Sequence, residues 1–107
     1  MKIDREFLLS RKDELHIALK PYIIYRYEPL IDNGTVFIYN KRTGNIYTGN
    51  NLVYLVLKII EEKRPTIESL LKEIQKVDSN LSTEEIIEFL IELYNRDMIV
   101  LLESTLN

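Results

Sequence analysis

The chain is predicted to fold as an α+β domain in which a three-stranded antiparallel sheet is followed by three helices. Two observations carry this. Between residues 22 and 48, runs rich in β-branched and aromatic residues are separated by polar, glycine-bearing turn signals. After Gly49 the spacing of apolar residues changes from strand-like to helical.

Taken in order, residues 1–20 form an N-terminal extension, read as helical. Its apolar groups Phe7, Leu8, Leu9 and Leu15, Ile17, Ala18, Leu19 are split by the charged stretch Arg11-Lys12-Asp13-Glu14. The remainder, residues 21–107, is read as one domain. Pro21 opens the first strand, Tyr22-Ile23-Ile24-Tyr25-Arg26-Tyr27, and Pro29 ends or bends it. Asp32-Asn33-Gly34 is a turn, because Asn and Gly tolerate the positive φ that tight hairpins need. Thr35-Val36-Phe37-Ile38-Tyr39 follows as the second strand. Lys41-Arg42-Thr43-Gly44 turns the chain into a brief third strand, Asn45-Ile46-Tyr47-Thr48, of the short, polar-flanked kind found at sheet edges.

The first core helix is crowded with apolar residues from Leu52 to Ile60 and ends at Glu61-Glu62-Lys63. Pro65-Thr66 stops it, and Thr66 caps the next helix by accepting from a free first-turn N–H. That second helix carries a single stripe: Ile67, Leu70, Leu71, Ile74 and Val77. Ser82-Thr83-Glu84-Glu85 matches a capping box, so a third helix begins there and runs to about Arg96. Met98-Ile99-Val100-Leu101-Leu102 closes the chain as a short strand or an extended tail on the core.

Composition narrows the function. With 107 residues, 46% hydrophobic and 29% charged, the chain has the make-up of one ordinary globular domain. It has no cysteine, which excludes disulfides, thiolate ligands and thiol nucleophiles. His16 is its only histidine and lies in the extension, without a second histidine for a metal site, and the three glycines are too dispersed for a phosphate loop. A non-enzyme with no cofactor and no metal is expected. No apolar run reaches the ~20 residues of a membrane span, so a cytoplasmic protein with no membrane partner is expected. The triplets Asn33-Gly34-Thr35 and Asn80-Leu81-Ser82 are accordingly read as turn and cap chemistry.

The third helix carries more apolar surface than docking requires. At about 100° per residue, Phe89, Leu93, Ile86 and Leu90 form one face, and Tyr94, Ile87 and Ile91 extend it by about another 100°. Two readings stay open for the extra flank: it packs under the N-terminal extension or the closing strand, or it borders a hydrophobic groove. In the second reading the edge strand supplies the other wall, since its unpaired N–H and C=O groups accept an extended peptide as a further strand. The candidate peptide-binding residues are Asn45, Ile46, Tyr47 and Thr48 on the strand, and Ile87, Ile91 and Tyr94 on the helix. Ile46 and Tyr47 point to opposite faces, so only one of them can look toward the helix.

The stretches Pro21-Tyr22, Tyr25-Arg26-Tyr27-Glu28-Pro29, Gly34-Thr35-Val36-Phe37-Ile38-Tyr39-Asn40 and Thr43-Gly44-Asn45-Ile46-Tyr47, with strands preceding helices, resemble the peptide chaperones of pyrroloquinoline quinone biosynthesis. They also resemble the wider class of recognition elements for ribosomally made, modified peptides. The stretch from Arg26 to Pro29 looks most like the chaperone of mycofactocin maturation. The resemblance covers residues 21–100. It implies a winged helix-turn-helix domain that captures the leader of a precursor peptide against its third strand and third helix. The precursor is then presented to a modifying enzyme, in several such systems a radical S-adenosylmethionine protein. The extension before Pro21 exceeds the minimal domain and could cover the groove or mediate dimerisation.

Two rivals use the same elements. A DNA-binding winged helix needs Arg, Lys, Asn or Gln near the start of its recognition helix. This helix begins with Glu84, Glu85 and Glu88, Glu92 follows, and the net charge is −3, so no nucleic-acid partner is expected. Lys41 and Arg42 on the turn are two cations only. A structural or dimerisation module, working as a homodimer, would use the wide apolar helix face equally well.

Overall fold

The computed structural model describes residues 3–103. The first two residues of the extension and the last four of the domain lie outside them. In chain order the elements are α1 (Arg5–Ser10), β1 (Leu15–Leu19), β2 (Ile23–Glu28), β3 (Thr35–Asn40), β4 (Ile46–Gly49), α2 (Asn51–Lys63), α3 (Ile67–Val77), α4 (Thr83–Asn95) and β5 (Ile99–Glu103). The sheet β2-β3-β4 is antiparallel throughout, and β1 and β5 form a separate antiparallel pair. With α2, α3 and α4 following the sheet and the β1–β5 ribbon closing the chain, the protein is a winged helix-turn-helix of α+β class.

The helices start where side chains satisfy their free N–H groups. Asn50 accepts from the N–H of Leu52 and Val53 at the start of α2, and Thr66 accepts from Ser69 at the start of α3. At α4 the capping box is complete: Ser82 Oγ accepts from Glu85 N–H, and the Glu85 carboxylate accepts from Ser82 N–H. Gly34 stands at φ +113°, and a Cβ there would run into the Asn51 amide and the Tyr27 hydroxyl. The first hairpin turn is thereby seated against the N-terminus of α2, where the Tyr27 hydroxyl bonds Asn51 Oδ1 and Asn51 Nδ2 donates to the Asn33 carbonyl.

One core joins the two sheets to the helices. Val36 and Ile38 from β3, Val56, Leu57 and Ile60 from α2, Ile67, Leu70 and Ile74 from α3, and Leu90 and Leu93 from α4 are all buried. Each such side chain contributes roughly 1.5–3 kcal/mol by leaving water. Above the inner face, Tyr54 of α2 stacks on Tyr27 at 4.1 Å and meets Tyr25 edge-on at 6.2 Å.

The N-terminal extension is only partly the expected helix. Residues Arg5–Ser10 are helical, whereas Leu15–Leu19 form a strand paired residue for residue with β5, from Leu15 opposite Glu103 to Leu19 opposite Ile99. The apolar groups of the extension do not reveal this, because only the partner strand makes the extended form favourable. Ile17 N–H also donates to the Pro65 carbonyl at 2.9 Å, and Lys20 N–H to the Met98 carbonyl at 3.0 Å. Ile3, Leu8, Leu15 and Ile17 belong to the same buried cluster as the helices. The extension therefore completes the core, and the closing segment is a true strand.

Candidate functional site

Among the described residues β4 pairs with β3 alone and lies at the edge of its sheet. The hairpin sets the phase of the ladder: Asn40 N–H donates to the Asn45 carbonyl at 3.0 Å. Hydrogen-bonded and open positions alternate in an antiparallel pair, so Tyr47 and Gly49 bond to β3 opposite Ile38 and Val36. The N–H and C=O groups of Ile46 and Thr48 then point off the free edge. Side chains alternate as well: Tyr47 turns toward the helices, while Ile46 is 67% exposed on the outer face.

Opposite this edge stands α4. A cleft of about 270 Å³ separates them, walled by Tyr47 and Thr48 on one side and by Phe89, Glu92 and Arg96 on the other, over a floor of Ile38, Val53, Leu93 and Met98. Arg96 roofs one end, its guanidinium 4.7 Å above the Tyr47 ring and 2.7 Å from Glu92. Beyond Gly49, whose missing Cβ leaves room for Val53, the cleft passes into an apolar pocket of about 230 Å³. Val53 and Phe89 line both spaces, and Leu52, Leu81 and Ile86 line the pocket over Val56 and Ile74, beside Asn50 and Glu85. The result is a groove with an apolar floor, one wall of unpaired backbone and one wall of helix.

The expected residues divide. Tyr47 faces the groove and Thr48 borders it at the strand edge, and Asn45 Nδ2 donates to the Tyr47 hydroxyl at 3.3 Å, whereas Ile46 lies on the other face of the sheet. On the helix the expected flank is the wrong one for this groove. Ile87 is fully buried, because α1 packs against α4 and holds it with Arg5 placed 3.5 Å from both Glu84 and Glu88. Tyr94 lines a different cleft, with Phe7, Val100 and Leu101, and Ile91 opens on the outer side of α4. Phe89, Glu92, Leu93 and Arg96 take their place. The helical periodicity set Phe89 and Leu93 on one face, but it did not join Glu92 or Arg96 to them, and periodicity does not say which neighbour a face meets.

No family model, no curated protein and no solved structure matches this chain. Among the described residues no helix is long and apolar enough to cross a membrane. His16 is engaged structurally: its Nδ1 lies 2.9 Å from the Arg64 carbonyl, which can only accept, so Nδ1 carries the proton.

Arg42 of the second turn is engaged too. It pairs with Asp97 at 2.7 Å and lies 5.3 Å above the Tyr22 ring, while the Tyr22 hydroxyl donates to Asp97 at 2.8 Å and Lys20 approaches it at 3.3 Å. This clamp ties the β3–β4 turn to the end of α4 and so holds both walls of the groove. The Tyr22 hydrogen bond, reinforced by Lys20 and Arg42, keeps the Asp97 carboxyl below its usual range. A lowered folded value stabilises the protein fully above the ordinary carboxylate pKa, about 3.9, and the stabilisation disappears as pH falls through the lower folded value. Asp97→Asn, which tolerates the observed φ of +62°, should lower the melting temperature at neutral pH. The gap from the unsubstituted protein should narrow in thermal melts as the pH is taken below the ordinary carboxylate range; a gap independent of pH would count against the clamp.

Proposed function

We propose that this chain is a non-catalytic peptide-binding domain of the cytoplasm. It captures the leader of a ribosomally made precursor peptide by adding it as a strand to β4, and presents the precursor to a modifying enzyme. The observation that carries this reading is the free edge of β4 facing the α4 cleft. Ile46 and Thr48 offer backbone groups for pairing, and the Tyr47, Val53 and Phe89 side chains offer an apolar surface. The resemblance described above supplies the leader as ligand and a radical S-adenosylmethionine enzyme as the partner. The four carboxylates of α4, Glu84, Glu85, Glu88 and Glu92, argue against a nucleic acid in the same place.

The test is a titration of isotope-labelled protein with leader peptides encoded beside its gene, read as backbone amide shifts. Strand capture predicts shifts at Ile46, Tyr47 and Thr48 together with Phe89, Glu92 and Arg96. No shift with any such leader would remove the proposal.

A second reading has one observation in its favour. On the outer face of the sheet, Ile24, Tyr39 and Ile46 sit side by side in register with exposures of 50%, 40% and 67%. A row of that kind suits a structural module that self-associates. Sedimentation separates the two: a stable dimer that Ile46→Lys dissolves, with no response to leaders, belongs to the second reading.

A further inference from the structure

We infer that the peptide taken by this groove is a basic one, an extended segment whose bulky apolar side chain enters the pocket beyond Gly49 and whose neighbouring residues are lysine or arginine. The inference rests on strand capture at β4 and goes on to specify the ligand.

The apolar part follows from the pocket. It is enclosed by Leu52, Val53, Leu81, Ile86 and Phe89, has room for one bulky side chain, and opens directly from the end of the edge strand. A strand lying on β4 would deliver every second side chain toward it.

The charge follows from the rim. Glu85 stands at the mouth of the pocket, and a shallow trough along α4 runs from Phe89 past Glu88 and Glu92. The side chains of Glu84, Glu88 and Glu92 are 71%, 57% and 53% exposed. Among the described residues two cations answer these four carboxylates. Arg5 is shared between Glu84 and Glu88 at 3.5 Å, and Arg96 is held by Glu92 at the opposite end of the groove. The partial positive charge of the helix N-terminus does not reverse the sign, because Ser82 and Glu85 already satisfy one another there. An acidic ligand would meet carboxylates at the pocket mouth, whereas a basic one would find partners on the α4 side while its backbone pairs with β4.

Two synthetic peptides test this, identical strand formers with one central phenylalanine, flanked in one by lysines and in the other by glutamates. Each is titrated into the labelled full chain at low and at physiological salt. The lysine peptide should bind about tenfold more tightly at low salt, the sum of several exposed charge contacts, and screening should narrow the preference at higher salt. Glu84→Gln with Glu88→Gln, both on the surface, should narrow it in the same way. Equal affinities with shifts at Tyr47 and Thr48 would overturn the charge inference and leave strand capture standing. Tighter binding of the glutamate peptide would do the same. Absence of shifts at β4 with either peptide would overturn both.

Discussion

Ile87→Glu is expected to remove much of the protein's stability. Ile87 is fully buried, within a cluster that also holds Leu8 from α1 and Leu90 and Leu93 from its own helix. An ionised carboxylate there would have no cation within the core, and an uncompensated buried charge costs about 3–5 kcal/mol. Loss of the isoleucine's own burial adds roughly another 2 kcal/mol. Small domains are stable by about 5–15 kcal/mol in total, so the substitution removes a large part of that margin. Urea denaturation and the spread of amide resonances report the outcome. Near-native stability would mean that α1 does not cover this flank, and that the flank is open for binding after all. Ile91→Glu, on the partly exposed side of the same helix, should cost much less.

Thr48→Pro is expected to leave the fold in place and to weaken strand capture. The Thr48 N–H points off the free edge, so its removal breaks no bond to β3, and proline is tolerated at edge positions of this kind. A stability loss within about 1 kcal/mol is expected. An incoming strand would lose one backbone partner and leave its own carbonyl unpaired, which costs about 1–3 kcal/mol, or about five- to hundredfold in affinity. Tyr47→Pro makes the complementary control. It removes a bond within the β3–β4 ladder and the ring beneath Arg96, so here stability itself should drop, by about 1–3 kcal/mol. Calorimetric melts and peptide titrations on both variants separate the two effects. Undiminished leader binding by Thr48→Pro would show that the ligand does not use this edge.

The order of elements from β2 to α4 was legible because each is written in local chemistry. β-branched and aromatic runs set the strands, Asn33-Gly34 and Gly44 set the turns, and Thr66 and the Ser82–Glu85 box set the starts of α3 and α4. These signals act within a few residues, so the sequence alone determines them. The strand Leu15–Leu19 was hidden, since its extended form depends on β5, whose register partners lie eighty or more residues away. The candidate site split along the same line. That β4 is a short edge strand and that α4 is apolar over more than half its girth could be read from spacing. Which flank of α4 faces β4, and which lies under α1, could not. Periodicity records how far a face extends around a helix, while the direction in which that face points is decided by the packing of distant segments. Ile87 was thereby assigned to the core, and Phe89, Glu92 and Arg96 to the groove.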